Sequence, residues 1–175
     1  VDTWAVERRL LHRLRRIDRV EVERSWPHTL RVKVTERQPV VVLRRAGGFT
    51  EVDRNGIRYA DVAEAPESVP VVELRPGHLE PGQAASARHF GTRRLLRSAV
   101  RVVLDLPAAV RRTVRVVEVH SYDGIRLRLS GGRTVMWGSA ESGKLKAAAL
   151  TAVMRAEKDA AHYDVSAPSA PAASG

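Results

Sequence analysis

The stretch that decides the fold is residues 17–40, IDRVEVERSWPHTLRVKVTERQPV, in which two runs of alternating apolar and charged residues flank a Trp-Pro pair. Such alternation places every second side chain on the same face of a β-strand. The side chains that share the apolar face are Val20, Val22, Trp26, Leu30, Val32 and Val34. Pro27 presets a turn and has no N–H to donate to a sheet. The stretch therefore predicts a β-hairpin with one apolar and one charged face.

The residues before the hairpin predict a helix over 2–16. Val6, Leu10, Leu14 and Ile17 recur at the spacing that defines one face of a helix. This apolar stripe is expected to cover the apolar face of the hairpin. A unit of about 45 residues buries too little surface to be stable alone, so it needs more chain before Val1 or the domain that follows.

Beyond the hairpin, short apolar runs separated by turn residues predict a mainly β unit with two helices. Asn55-Gly56 supplies the positive φ angles that a tight hairpin turn requires. One helix is expected from Ser86 to about Leu104, and the other begins at Ser139 or Ser142. Strands are expected at 40–43, 49–52, 57–60, 70–74, 114–120, 125–129, 134–137 and 162–166.

The predicted fold class is α+β, with two folded units and a tail. Residues 1–45 form the helix–hairpin unit, and residues 46–166 form a β domain whose sheet is mixed or antiparallel. Residues 167–175, APSAPAASG, are low in complexity and lack apolar mass. They are therefore predicted to be a disordered tail.

The composition is that of a folded protein and excludes several kinds of site. Apolar residues make up 43% and charged residues 29% of the chain, which is typical of a globular domain. No apolar run approaches the roughly 20 residues that span a bilayer. There is no cysteine, so disulfides, thiolate metal sites and cysteine nucleophiles are excluded. Because the chain begins with Val1, we expect a piece of a longer protein or a misplaced start.

The net charge of +10 leaves two explanations open. A basic protein can bind nucleic acid, and a basic nucleic-acid-binding domain is one alternative function. An arginine-rich and lysine-poor chain is also what a GC-rich genome encodes. Aromatic residues make up only 5% of the chain, which leaves few platforms on which bases could stack. The compositional explanation is therefore favoured.

The sequence contains no motif for catalysis or for binding a metal or cofactor. A phosphate-binding Gly-rich loop, G-x-S-x-G and H-E-x-x-H are absent, and the six histidines lack metal-ligand spacing. His120, Ser121 and Asp123 are close along a strand end, but alternation sends neighbours to opposite faces. We expect that the protein is not an enzyme and that it binds no metal or cofactor. Open sheet edges favour a docking module that binds extended segments by strand addition.

Five segments, in order, resemble the bacterial cell division FtsQ/DivIB family of actinobacterial type. The first is residues 17–40, with its Trp-Pro turn and Glu-Arg-x-Pro exit, which resembles the end of that family's polypeptide-transport-associated (POTRA) domain. The others are 52–57 (VDRNGI), 69–72 (VPVV), 132–139 (GRTVMWGS, followed by Lys144-Leu145) and 164–168 (DVSAP). The resemblance covers nearly the whole chain and implies a POTRA domain followed by the family's β domain.

The resemblance also implies a location. Family members have a cytoplasmic tail, one membrane helix, and then the POTRA and β domains outside the membrane. The helix over 2–16 matches only the second POTRA helix, so we expect an N-terminally truncated POTRA domain that lacks its first strand and helix. The implied protein is a single-pass cell-membrane protein of the division septum, with this region extracytoplasmic.

The implied function is that of a non-enzymatic divisome scaffold. Its partners would be FtsB/DivIC-like and FtsL-like division proteins and the septal peptidoglycan synthesis machinery, with no nucleic acid. A partner segment would pair along the last strand, beside the helix of residues 143–157. The expected partner-binding residues are Tyr163, Asp164, Val165, Ser166, Ala167 and Ser169. Pro168 lacks an N–H, so the pairing should be short. A POTRA-type module of a protein assembly or secretion system is a further alternative.

Overall fold

The N-terminal helix and hairpin are both present, and a large mixed sheet follows them. The computed structural model describes residues 2–26, 29–75 and 85–175. The predicted α+β class is confirmed. In chain order the elements are α1 (Thr3–Arg13), β1 (Ile17–Ser25), β2 (Thr29–Glu36), β3 (Val41–Arg45), β4 (Gly48–Val52), β5 (Arg58–Val62), β6 (Val71–Leu74), α2 (Ala85–Asp105), α3 (Ala108–Arg111), β7 (Val114–Val119), β8 (Ile125–Leu129), a 3-10 turn (Ser130–Gly132), β9 (Thr134–Gly138), α4 (Gly143–Ala156), β10 (His162–Asp164) and β11 (Ala172–Ser174).

The helix α1 covers only one strand of the hairpin. Strands β1 and β2 pair antiparallel, with Val20 opposite Val34 and Val22 opposite Val32. Val20 is 6% exposed, but Val32 and Val34 are 46% and 47% exposed. The expectation that the helix covers the whole apolar face is therefore right for β1 and wrong for β2, because α1 packs along β1. The predicted turn at Pro27 lies outside the described residues.

The remaining nine strands form one mixed sheet in the order β11-β10-β9-β8-β7-β6-β3-β4-β5. Strands β3, β4 and β5 form one antiparallel meander, and β7, β8 and β9 form another. The turn at Asn55-Gly56 joins β4 to β5, as predicted. Parallel pairing joins β3 to β6, β6 to β7 and β9 to β10. A helix connects the strands of the last two parallel pairs along the chain, which is how parallel neighbours are usually joined.

The helices α2 and α4 pack against one face of this sheet and enclose the core. Strand β8 shows the alternation clearly, because Ile125, Leu127 and Leu129 are buried while Arg126 and Arg128 are exposed on the other face. The largest fully buried side chain is Trp137 on β9. Side chains that line the core from the helices include Leu96, Val100, Val103, Ala147 and Leu150. The opposite face of the sheet carries ion pairs, such as Arg128 with Glu118 at 3.3 Å.

The N-terminal unit is joined to the sheet by Arg37, which follows β2. Its Nε donates a hydrogen bond to the carbonyl of Arg15 at 3.1 Å. Its Nη1 pairs with the carboxylates of Asp53, which follows β4, and of Asp18, the latter at 3.3 Å. Asp53 is 3% exposed, so this arginine neutralises a buried charge. A second ion pair joins Arg16 to Glu51 at 3.5 Å.

Two strands of the large sheet, β3 and β11, bear on the predicted boundaries of the folded units and the tail. Strand β3 pairs with β4 and β6, although the predicted boundary assigns residues 41–45 to the N-terminal unit. Residues 172–174 form the strand β11, so the prediction of a wholly disordered tail is corrected. Composition missed this strand because main-chain pairing with β10 orders it, and that pairing does not depend on apolar side chains.

Candidate partner-docking edge

The predicted partner-binding residues lie at the end of the sheet formed by β10 and β11. Strand β10 pairs parallel with β9 on one side and antiparallel with β11 on the other. The register places Tyr163 opposite Ala173 and Asp164 opposite Ala172. The outer side of β10 is therefore already occupied, and β11 is the edge strand at this end of the sheet.

Two of the six predicted residues are buried. Tyr163 is 2% exposed, and its hydroxyl donates to the carbonyl of Glu157 at 2.8 Å, which ties β10 to the end of α4. Val165 is 0% exposed, and its N–H donates to the carbonyl of Met136 at 3.0 Å. Both side chains belong to the core, so neither is offered at the surface.

The other four predicted residues are exposed and shape the loop after β10. The carboxylate of Asp164 accepts hydrogen bonds from the N–H and hydroxyl of Ser166 at 2.9 and 2.7 Å, an Asx-type turn. The carbonyl of Ala167 accepts from the N–H of Ala170 at 3.0 Å, and Ser169 lies exposed within this turn. The two turns return the chain along β10 as β11.

A close contact at Gly138 fixes this loop against the end of β9. Gly138 has a φ of +78°, and a Cβ built there would lie 3.0 Å from the Cβ of Ser166. Both the backbone angle and the short distance favour glycine. The loop after β10 is therefore held at its start by Asp164 and against β9 by Gly138.

Helix α4 lies beside β10 and presents an exposed leucine. Leu145 is 65% exposed, whereas Lys146, the next residue, is 3% exposed. The Lys146 Nζ donates to the carbonyl of Ser139 at 2.9 Å and so fixes the loop before the helix. Burial lowers the pKa of Lys146, and the Glu141 carboxylate opposes this shift. The apolar spacing of the helix predicts that Leu145 faces inward with Leu150 and Val153, and its exposure corrects that prediction.

An open cleft of 510 Å³ lies over β10 on the face of the sheet opposite α4. The ring of His162 lies there, with its Nδ1 2.8 Å from the hydroxyl oxygen of Thr134. Strand β11 contributes to the lining of the cleft only Ala172, Ala173 and Ser174, whose side chains are small. The residues whose side chains share this face are Arg126, Thr134, Met136, His162, Asp164, Ala172 and Ser174. Nothing in the sequence of the tail signals this arrangement.

The described part of the chain contains no cluster suited to metal binding, and His120, Ser121 and Asp123 do not form a catalytic triad. No group of three or more histidine and carboxylate side chains there could hold a metal ion. The Ser121 hydroxyl donates to Asp123 at 2.7 Å, and this bond lowers the pKa of Asp123. The ring of His120 lies near Glu118 instead, at 4.0 Å. No described helix is both long and apolar enough to cross a membrane.

Comparison with known proteins identifies two consecutive family regions in the chain. The description "POTRA domain, FtsQ-type" matches residues 1–37, and "Cell division protein FtsQ/DivIB, C-terminal" matches residues 41–166. The second match covers well over half of the chain and includes every strand of the large sheet except β11.

Relatives named cell division protein FtsQ align over nearly the whole chain. The one from Streptomyces collinus is 58% identical over 175 residues, which is 100% of this chain and 66% of the relative. The Streptomyces coelicolor protein is 56% identical with the same coverage, and that of Mycolicibacterium smegmatis is 33% identical over 98% of this chain and 46% of its own. The chain thus spans 66% of the length of the two Streptomyces relatives. These matches show that the chain belongs to the FtsQ/DivIB family of cell division proteins.

Proposed function

We propose that this chain is a non-enzymatic scaffold of the divisome, which binds other division proteins at the septum and coordinates septal peptidoglycan synthesis. The observation that carries the proposal is the β10–β11 end of the sheet, where a three-residue edge strand pairs with β10 and the helix that contacts β10, α4, carries the exposed Leu145. Membership in a cell division family supports the same role. Neither the fold nor the comparisons favour a nucleic-acid-binding domain or a secretion module.

The proposed partners are FtsB/DivIC-like and FtsL-like proteins. An extended partner segment would add main-chain hydrogen bonds at the β10–β11 end, and a helical segment would pack on α4 beside it. The exposed loop residues Asp164, Ser166, Ala167 and Ser169 would border this contact. In such docking the main chain supplies affinity, and alternate side chains supply specificity.

The proposed location is the outer side of the cell membrane at the division septum, with a single membrane helix anchoring the full-length protein. The support is the family's architecture together with the greater length of the Streptomyces relatives, of which this chain spans 66%. The proposal assigns to the described residues the role of the extracytoplasmic binding part.

The docking surface can be tested by changing the exposed leucine of α4. Leu145→Asp should weaken capture of the purified extracytoplasmic domain of the FtsB/DivIC-like protein from the same bacterium by at least about tenfold, because a charge in an apolar contact must be desolvated. Capture is measured by biolayer interferometry on the 175-residue chain.

The matched control is Leu104→Asp, which changes a leucine that is 39% exposed on α2. We expect this variant to bind as the unsubstituted chain does, and both variants to keep their thermal midpoints within a few degrees. Equal binding by the Leu145 variant and the unsubstituted chain would remove α4 from the docking surface.

A further inference from the structure

Strand β11 is held by its main chain and by little else. It consists of Ala172, Ala173 and Ser174, of which only Ala173 is partly buried against the core. Three register pairs and a bond from the N–H of Ala161 to the carbonyl of Ser174, at 3.0 Å, fix it to β10. A strand this short with such small side chains buries almost no apolar surface, so it is the most weakly attached strand of the sheet.

Strand β10, in contrast, is anchored without any help from β11. The Thr134 N–H donates to the carbonyl of Ala161 at 2.8 Å, and the Val165 N–H donates to Met136 at 3.0 Å. These bonds clamp both ends of β10 to β9. The buried Tyr163 adds the bond to α4 described above. If β11 left its place, β10 would remain as an exposed edge with unpaired main-chain groups.

The cleft indicates what kind of strand would fit better than β11. Side chains opposite His162 and Asp164 point into the cleft, and there β11 supplies only Ser174 and Ala172. A segment with larger side chains at those two positions would cover more of this open cleft than β11 does. The position of Ala173, between them, faces the core, against which its small apolar side chain packs.

We propose that β11 is an exchangeable strand, which covers the edge of β10 in the free protein and is replaced by an extended segment of the division partner. The incoming segment pairs antiparallel with β10 and carries a large–small–large pattern at the positions of 172, 173 and 174. This inference rests on the proposed docking function and specifies its mechanism. Strand β11 occupies the edge intramolecularly. The apparent affinity for the partner is therefore the affinity of the free edge multiplied by the fraction of molecules in which that edge is free.

A reversible disulfide between β10 and β11 tests the exchange. The chain has no cysteine of its own, so two introduced thiols can pair only with each other. The variant His162→Cys/Ser174→Cys places two thiols on register neighbours of β10 and β11. Antiparallel neighbours lie about 4.5–5.5 Å apart between Cα atoms, within the range that a disulfide spans. The oxidised form should capture the FtsB/DivIC-like domain at least about tenfold more weakly than the same protein after reduction.

A second variant acts in the opposite direction. Ser174→Pro removes an N–H that faces β10 opposite His162, because residues 161 and 165 on either side of that strand bond to β9 and the residues between them alternate toward β11. This variant should raise the affinity for the partner several-fold, because the competing strand is weakened. The control Thr50→Cys/Asp61→Cys staples the register neighbours of β4 and β5 at the other end of the sheet. Its oxidised and reduced forms should bind equally.

The outcomes separate the exchange from the docking surface. If the oxidised and reduced β10–β11 staples bind the partner equally well, β11 is not displaced, and the exchange is overturned while docking stands. If the unsubstituted chain and Ser174→Pro both fail to bind, docking and exchange are overturned together. Weak binding by the unsubstituted chain with a gain on Ser174→Pro supports the exchange. A staple that cannot form would contradict the pairing of β10 with β11.

Discussion

At the scale of single residues, the most unusual environment is that of Tyr59, between the hairpin unit and the large sheet. Its side chain is buried, and its hydroxyl lies 3.5 Å from the carbonyl of Arg37. Burial and, secondarily, the negative charge of the buried Glu51 raise the pKa of Tyr59 to about 12. The folded chain therefore keeps this proton over a pH range in which the unfolded chain releases it.

This pKa predicts a loss of stability in alkali. Below pH 10.0, the ordinary pKa of tyrosine, the hydroxyl is protonated in both states, and its contribution is fully present. Between pH 10.0 and about 12 the unfolded chain ionises first, so the contribution is lost as pH rises. The loss should be on the order of 2 kcal/mol at most, because solvent screens part of the interaction. Urea unfolding at a series of pH values measures it, and Tyr59→Phe should show a shallower decline. An equal decline in both proteins would contradict the assignment.

At the scale of elements, the sequence predicts best where side-chain periodicity alone decides the structure. The hairpin of residues 17–36 and the strand β8 follow directly from alternation, because one face is apolar and the other charged. The burial of Val165 and the pairing of β11 could not be read in this way. A strand end next to a loop of small and polar residues has too few positions to show a period, and main-chain pairing leaves no pattern of residue types.

Val165 provides a test of this distinction between core and edge. Because its side chain is 0% exposed, Val165→Lys should lower the free energy of unfolding by more than about 3 kcal/mol through an unpaired buried charge. Ala167→Lys, two residues later and exposed, should change it by less than about 0.5 kcal/mol. Chemical denaturation followed by circular dichroism measures both values. Similar stability of the two variants would mean that residue 165 faces solvent.

At the scale of the whole molecule, two units of unequal size are coupled through a few charged contacts. The N-terminal unit leaves an apolar row on β2 exposed, whereas the large sheet encloses its core between strands and helices. Arg37 carries most of the polar coupling, because it contacts Arg15 and Asp18 on one side and Asp53 on the other. Asp53 also accepts the N–H groups of Asn55 and Ile57 at 2.8 and 2.9 Å. The carboxylate that receives Arg37 is thus fixed by the β4–β5 turn.

Removing this arginine should uncouple the two units without unfolding the sheet. Arg37→Ala leaves Asp53 buried without its cation and should cost about 3 kcal/mol, borne by the smaller unit because the sheet keeps its own core. Trypsin should then cleave within residues 2–36 at least about tenfold faster. The fragment that begins after Lys33, the last tryptic site before residue 37, should persist as in the unsubstituted chain. Arg37→Lys, which keeps the charge but loses the planar guanidinium, should fall between the two. Simultaneous digestion of both units would show that they unfold as one cooperative body and that Arg37 is not the coupling contact.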